Sequence, residues 1–229
     1  RAVVEKALRV VLSRGSLWTL LHTLGVRWGR PRPIVACPWR TRRRQRRIAA
    51  LKQLAASASD ENVVVYADEV DIHLNPKIGP DWMLPGTQRL VLTPGKNEKR
   101  YLAGAYEPLN DRLVYVEGDC KASWIFLNLL RALLETYESA KSIHVILDNY
   151  IIHKSLVTKA WLAEFGARLQ LHFLPPYCPN ENRIERLWLD LHANVTRNHR
   201  QKTIEALLDR VHGYLTHRFD TQRRILLVA

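Results

Sequence analysis

The chain has 229 residues, 47% hydrophobic and 25% charged, which suits one substantial folded core with a small appendage. Its net charge of +13 and pI of about 10.0 point to a polyanionic partner, most commonly nucleic acid, although a solvated basic surface would read the same on charge alone. No apolar stretch approaches the ~18 residues of a membrane span, and Cys37, Cys120 and Cys178 are odd in number and too dispersed for a disulfide framework or a Cys-x-x-Cys knuckle.

The chain opens on Arg1 rather than Met and shows no secretory leader, so it is expected to be the C-terminal portion of a longer cytoplasmic protein with reduced thiols. Residues 2–12 carry apolar positions at helical spacing. Ser13-Arg14-Gly15 then reads as a turn, Ser16 as the N-cap of a helix over Leu17–Leu24, and Gly25 as its stop. Helix, short glycine-containing turn and second helix outline a helix-turn-helix, or an ordinary helical hairpin, over residues 1–29. Residues 30–60 are set apart as a basic linker and helix. Arg30–Arg47 holds eight arginines in eighteen residues, and Pro31, Pro33 and Pro38 keep its first half extended. Arg40, Arg42, Arg43, Arg44, Arg46 and Arg47 are expected to lie along DNA phosphates, positioning rather than reading sequence; a solvated basic helix is the plainer alternative.

The third segment, 61–229, begins with the buried-strand run Val63–Ala67, which stops at Asp68. Alternation along the strand sends the next acid, Glu69, to the opposite face. Glu69 and Asp71 are therefore read as structural or solvent-facing, and His73 as a hydrogen-bonding neighbour. Arg89–Leu92, Lys99–Tyr106 and Arg112–Glu117 are expected as antiparallel strands of a meander, with Trp82 as a packing aromatic or a base-stacking one. Ser123 is expected to cap an amphipathic helix that runs to about Tyr137.

A second largely apolar run, Ile143–Leu147, ends at Asp148. A helix from about His153 to Phe165 is stopped by Gly166, and Leu169, Leu171 and Phe173 alternate on a last strand before Pro175-Pro176. Ile184, Leu187, Trp188, Leu191 and Val195 then recur at helical spacing, and Glu185 lies beside that stripe. Arg197 and Arg200 belong to a second basic cluster, either a DNA contact or a solvated helix end. Thr203 caps a final amphipathic helix.

Two core strands ending in aspartates and a helix presenting a glutamate suggest one cluster of three carboxylates. Like charges a few ångströms apart raise one another's pKa unless divalent cations neutralise them. Mg²⁺ takes one or two carboxylates and keeps positions for water and phosphate. Two such ions about 4 Å apart clamp the attacking and leaving oxygens of a phosphoryl transfer.

The segments 66–76 (YADEVDIHLNP), 145–155 (VILDNYIIHKS) and 174–188 (LPPYCPNENRIERLW) resemble, in order, the three acidic motifs of the DDE transposases. Among these they are most similar to the mariner-type bacterial insertion-sequence transposases, with 36 residues between Asp148 and Glu185. The resemblance implies an RNase H-like mixed α/β sheet flanked by helices, preceded by a partial helix-turn-helix. It also implies Asp68, Asp148 and Glu185 as catalytic and metal-binding residues, holding two Mg²⁺ (or Mn²⁺) ions. Asn149 and His153 match an Asp-Asn pair and downstream histidine that recur in the family, which implies a secondary role near phosphate; His153 could instead cap its helix. One position departs: Arg183 stands where the family has proline before the Ile-Glu pair. Glu181, one helical turn before Glu185, takes the family's leucine position and is set aside on that alignment.

The implied function is metal-dependent cleavage and strand transfer of double-stranded DNA, at element ends and target, by a homodimer in the bacterial cytoplasm near the nucleoid. Two other readings share these residues: a transposase-derived DNA-binding protein with its chemistry lost, and an RNase H-type nuclease.

Overall fold

The computed structural model describes residues 4, 6–7, 9–27, 29 and 35–223. Two compact units are formed, Arg1–Ala36 and Cys37–Ala229. Of the helix expected over residues 2–12, Val4, Lys6 and Ala7 are helical but residues 9–12 are not, and the prolines at 31 and 33 fall outside the described residues. In the first unit, α1 spans Arg14–Thr23. Its cap is Ser13 rather than Ser16, because the Ser13 hydroxyl accepts from the Ser16 N–H at 3.0 Å and the helix starts three residues earlier than expected. Gly25 follows at φ +75°, a left-handed conformation natural to glycine after a helix.

In the second unit a six-stranded sheet runs in the order β5-β4-β1-β2-β3-β6. Its strands are β1 (Asn62–His73), β2 (Lys99–Glu107), β3 (Arg112–Gly118), β4 (Ser142–Leu147), β5 (Leu169–Phe173) and β6 (Asp220–Arg223). The meander β1–β2–β3 is antiparallel, β4 and β5 add parallel to β1, and β6 adds parallel to β3, so the sheet is mixed. Helices cover both faces, which is why β1 and β4 read as apolar runs rather than strict alternations. Val63, Val65 and Ala67 pack with α3 (Ser123–Thr136) and with Trp161 of α4 (Leu156–Phe165). Val64, Tyr66, Val70 and Ile72 pack with α5 (Ile184–Leu191) and α6 (Ile204–Arg218). Leu51 of α2 (Thr41–Ala56) joins this second face, so the arginine-rich helix is packed structure within the same unit as the sheet.

The element between β1 and β2 differs from expectation. Arg89–Leu92 forms no strand, and Leu90 and Leu92 are exposed without a sheet edge to cover them. Trp82 is 99% exposed, so it packs against no core. Strand β6 was not anticipated, and Ser155 rather than His153 caps α4, its hydroxyl accepting from the Thr158 N–H.

Candidate active site

Asp148 follows β4 directly, at the carboxyl end of a central parallel strand. Its Oδ1 accepts from the backbone N–H of Tyr150 at 2.9 Å and lies 3.1 Å from Nδ1 of His153. Asp68 is placed differently from expectation. It is not the last residue of its strand but lies within β1, which continues to His73 because Val70 and Ile72 keep alternating into the core against β2. The pairing of β1 with β4, however, stops at Tyr66↔Ile146. Asp68 therefore sits just beyond the point where its parallel neighbour runs out.

Glu185 comes from the first turn of α5, whose Ile184, Leu187, Trp188 and Leu191 are buried against the sheet. Two details seat that helix beside Asp68. Gly104 is the register partner of Asp68 on β2, and a Cβ there would meet Trp188 ring carbons at 2.8 Å. Only glycine lets the indole lie this close. Asn182, 3% exposed, donates from Nδ2 to the carbonyl of Ala67 at 3.0 Å, and its backbone carbonyl accepts from the Glu185 N–H at 3.2 Å. The departure at Arg183 leaves the helix start intact: its φ of −65° and ψ of −29° match the φ that proline would fix. Its guanidinium lies 5.6 Å from the centroid of the Tyr66 ring.

The electrostatics show carboxylates crowded together. Burial, then the charges of Glu185 and Glu69, push the Asp68 carboxyl up to about 8. Burial and the charge of Asp148 likewise raise Glu185. For Asp148, burial would raise the carboxyl, but His153 and the Tyr150 N–H outweigh it and hold it below its ordinary value. Burial alone would lower His153, but its contacts with Asp148 and Glu69 raise it to about 9. Lys121, between β3 and α3, is also raised; burial opposes the shift and Glu69, Asp68 and Asp71 overcome it.

Among the described residues no three His, Cys, Asp or Glu side chains are gathered tightly enough to enclose one metal ion. The acids nevertheless suit Mg²⁺ or Mn²⁺: they are hard oxygen donors with a surplus of negative charge, and Mg²⁺ is held through one or two carboxylates rather than an all-protein cage. Asp148 and Glu185 line one cavity of about 510 Å³, with Asn149, Tyr150, Pro175, Tyr177 and Asn182. A larger cavity of about 810 Å³, bordered by Lys52, Tyr66, Arg183 and Asp190, includes none of the three acids.

The remaining anticipated residues separate by environment. Asn149 is used by the fold, donating to the Leu174 carbonyl and accepting from Lys154. Glu181 pairs with Lys52 at 3.2 Å, directed toward α2. Arg40, Arg42, Arg43, Arg46, Arg197 and Arg200 are exposed, Arg43 lying 4.2 Å over Trp39, and Arg44 is half-buried. Arg47 serves the fold, its Nε donating to the Phe173 carbonyl at 2.9 Å. Lys121, Asn182 and Gly104 escaped the reading of the sequence. A lone lysine in a turn and a glycine within a strand carry no local signal, whereas Asn182, three residues before Glu185, is at a spacing that could have been noticed.

A mixed sheet with helices on both faces and acids brought by β1, β4 and α5 defines an RNase H-like domain. The chain belongs to the family described as DDE superfamily endonuclease, which matches residues 63–208. It is 42% identical over 204 residues to the insertion element IS630 uncharacterized 39 kDa protein of Shigella sonnei, spanning 89% of this chain but 59% of that protein's length. The fold is similar to that of the Mos1 transposase paired-end complex with left transposon end (TM-score 0.64, 17% identity, 93% of this chain and 65% of that one). It is also similar to the Mos1 mariner paired end complex with Mn (TM-score 0.65, 16% identity, 95% of this chain and 67% of that one). Among the described residues no helix is long and apolar enough to cross a membrane.

Proposed function

We propose that this chain carries the catalytic part of an insertion-sequence transposase, which cuts and joins DNA strands with divalent metal ions. The observation that carries this reading is the crowding of buried acids: Glu185 acts on Asp68 and is acted on by Asp148, and burial first, then the charges of Glu185 and Glu69, push Asp68 up to about 8. Such crowding is costly in a protein alone and is relieved by cations.

In this reading Asp68, Asp148 and Glu185 hold two Mg²⁺ or Mn²⁺ ions. When bound, the ions lower the pKa of a water or of a DNA 3′-hydroxyl and steady the leaving oxygen. Asp148 keeps its carboxylate turned to the opening through Tyr150 and His153, and Glu185 is presented by a helix anchored through Asn182. Cleavage and strand transfer are the same in-line displacement with different nucleophiles, so no protein side chain need attack the DNA. The exposed Arg40, Arg42, Arg43, Arg46, Arg197 and Arg200, with Arg44, contact phosphates of element ends and target, and two copies act together in the bacterial cytoplasm. The match to a relative named for an insertion element supports this substrate class.

The test is nicking of a supercoiled plasmid in EDTA, Mg²⁺ or Mn²⁺, beside Glu185→Gln. Metal-dependent nicking that the variant loses is expected. Salt-sensitive DNA binding without any metal-dependent nicking would replace this reading with a binding protein.

A further inference from the structure

Glu69 is a buried carboxylate directly beside a triad acid. Its side chain is 2% exposed, it faces away from Asp68 across the strand, and its charge contributes to raising Asp68. An apolar residue would fill this core-facing position without the desolvation that a buried ion costs. Both of its oxygens face cationic groups that extend toward the acids. Oε1 lies 3.0 Å from His153 Nε2, and Oε2 lies 3.5 Å from Lys121 Nζ. The other nitrogen of His153, Nδ1, lies 3.1 Å from Asp148 Oδ1. The imidazole is itself held by the Phe126 ring, with centroids 4.5 Å apart. Oδ1 of Asp148 is thus occupied by Tyr150 and His153, while Oδ2 has no protein partner among the described residues.

We infer that Glu69 is a positioning residue of the metal site: through His153 it fixes the carboxylate of Asp148 with Oδ2 outward, and it holds Lys121 beside the acids, without ligating metal itself. The inference deepens the proposed function and rests on that reading. Outer partners that orient a metal ligand typically govern 10–100-fold of metal affinity, and Glu69 has the geometry of such a partner.

The experiment is titration of Mn²⁺ into the whole chain without DNA, followed by calorimetry, for the unaltered protein, Glu69→Gln, His153→Gln and the double variant. Glu69→Gln is expected to weaken Mn²⁺ binding about tenfold with unchanged stoichiometry. His153→Gln should do the same, and the double variant should be little worse than either single one, because both act through one contact. Nicking by Glu69→Gln should recover at high Mn²⁺, whereas Asp148→Asn should stay inactive at any concentration. Loss of a bound ion in Glu69→Gln would make Glu69 a ligand and overturn the inference, as would unchanged affinity or additive losses. If Glu69→Gln fails to fold, His153→Gln alone decides, unchanged affinity again overturning the inference. Because the titration omits DNA, a protein that binds Mn²⁺ but never nicks would sink the proposed reaction while leaving this inference judged on its own.

Discussion

Asn182 donates its side-chain amide to the carbonyl oxygen of Ala67 at 3.0 Å, tying the loop that starts the Glu185 helix to the strand residue before Asp68. The bond is buried, and removing the donor leaves a carbonyl without its partner. Asn182→Ala should therefore cost about 1–3 kcal/mol in urea unfolding. Nicking should fall further than the loss of folded protein explains, since the change also unties from β1 the loop that leads into the Glu185 helix. Unchanged nicking in a destabilised variant would reduce the bond to a purely structural one.

Gly104 tests the same helix from the sheet side. Gly104→Ala would drive a methyl group into Trp188, and overpacking of this kind costs about 1–3 kcal/mol. The displaced helix carries Glu185, so metal-dependent nicking should fall with stability. Gly213→Ala in α6 is the control: nothing lies within 4 Å of its added methyl, and the variant should match or exceed the parent by about 0.5–1 kcal/mol. Equal stability of the two variants would show that the indole yields.

Stability should fall as pH rises through neutrality in the absence of metal. Asp68, ordinarily 3.8, is held at about 8, so the folded chain keeps a proton that the unfolded chain releases between those values. His153 is raised from 6.5 to about 9, so its stabilisation is whole below 6.5 and lost as pH climbs through 9. Both act in the same direction, at about 1.4 kcal/mol per pKa unit as an upper bound. Asp148, held low, loses stabilisation only in the acid range below its ordinary value. Melting temperatures in EDTA should decline from pH 5 to pH 9, and Mn²⁺ should restore most of the loss near pH 8. A flat profile in EDTA would contradict the crowding of the acids.

The arginines of α2 should divide into two kinds. Replacing exposed Arg42, Arg43 and Arg46 by Gln should leave the melting temperature almost unchanged and flatten the salt dependence of DNA binding. The slope of log affinity against log salt should drop by about 0.9 for each phosphate that the variant no longer neutralises. Arg47→Gln should instead lower stability, because its Nε donates to the Phe173 carbonyl at the end of β5. An unchanged salt slope in the triple variant would move the DNA path elsewhere.

Local patterns in the sequence determined the antiparallel pair Lys99–Glu107 and Arg112–Gly118, the strand that stops before Asp148, the cap at Thr203, the stop at Gly166 and the buried stripe of the Glu185 helix. Each is set by periodicity or capping within a few residues, so it is legible without the rest of the chain. Tertiary structure alone decided that β1 runs past Asp68, because its extent depends on which neighbour continues to pair. It alone exposed Trp82, turned Glu181 toward Lys52, and brought Glu69 and His153, 84 residues apart, into a buried pair. Contacts of that separation follow from strand register and from helices closing over a sheet, and no local pattern of residues encodes them.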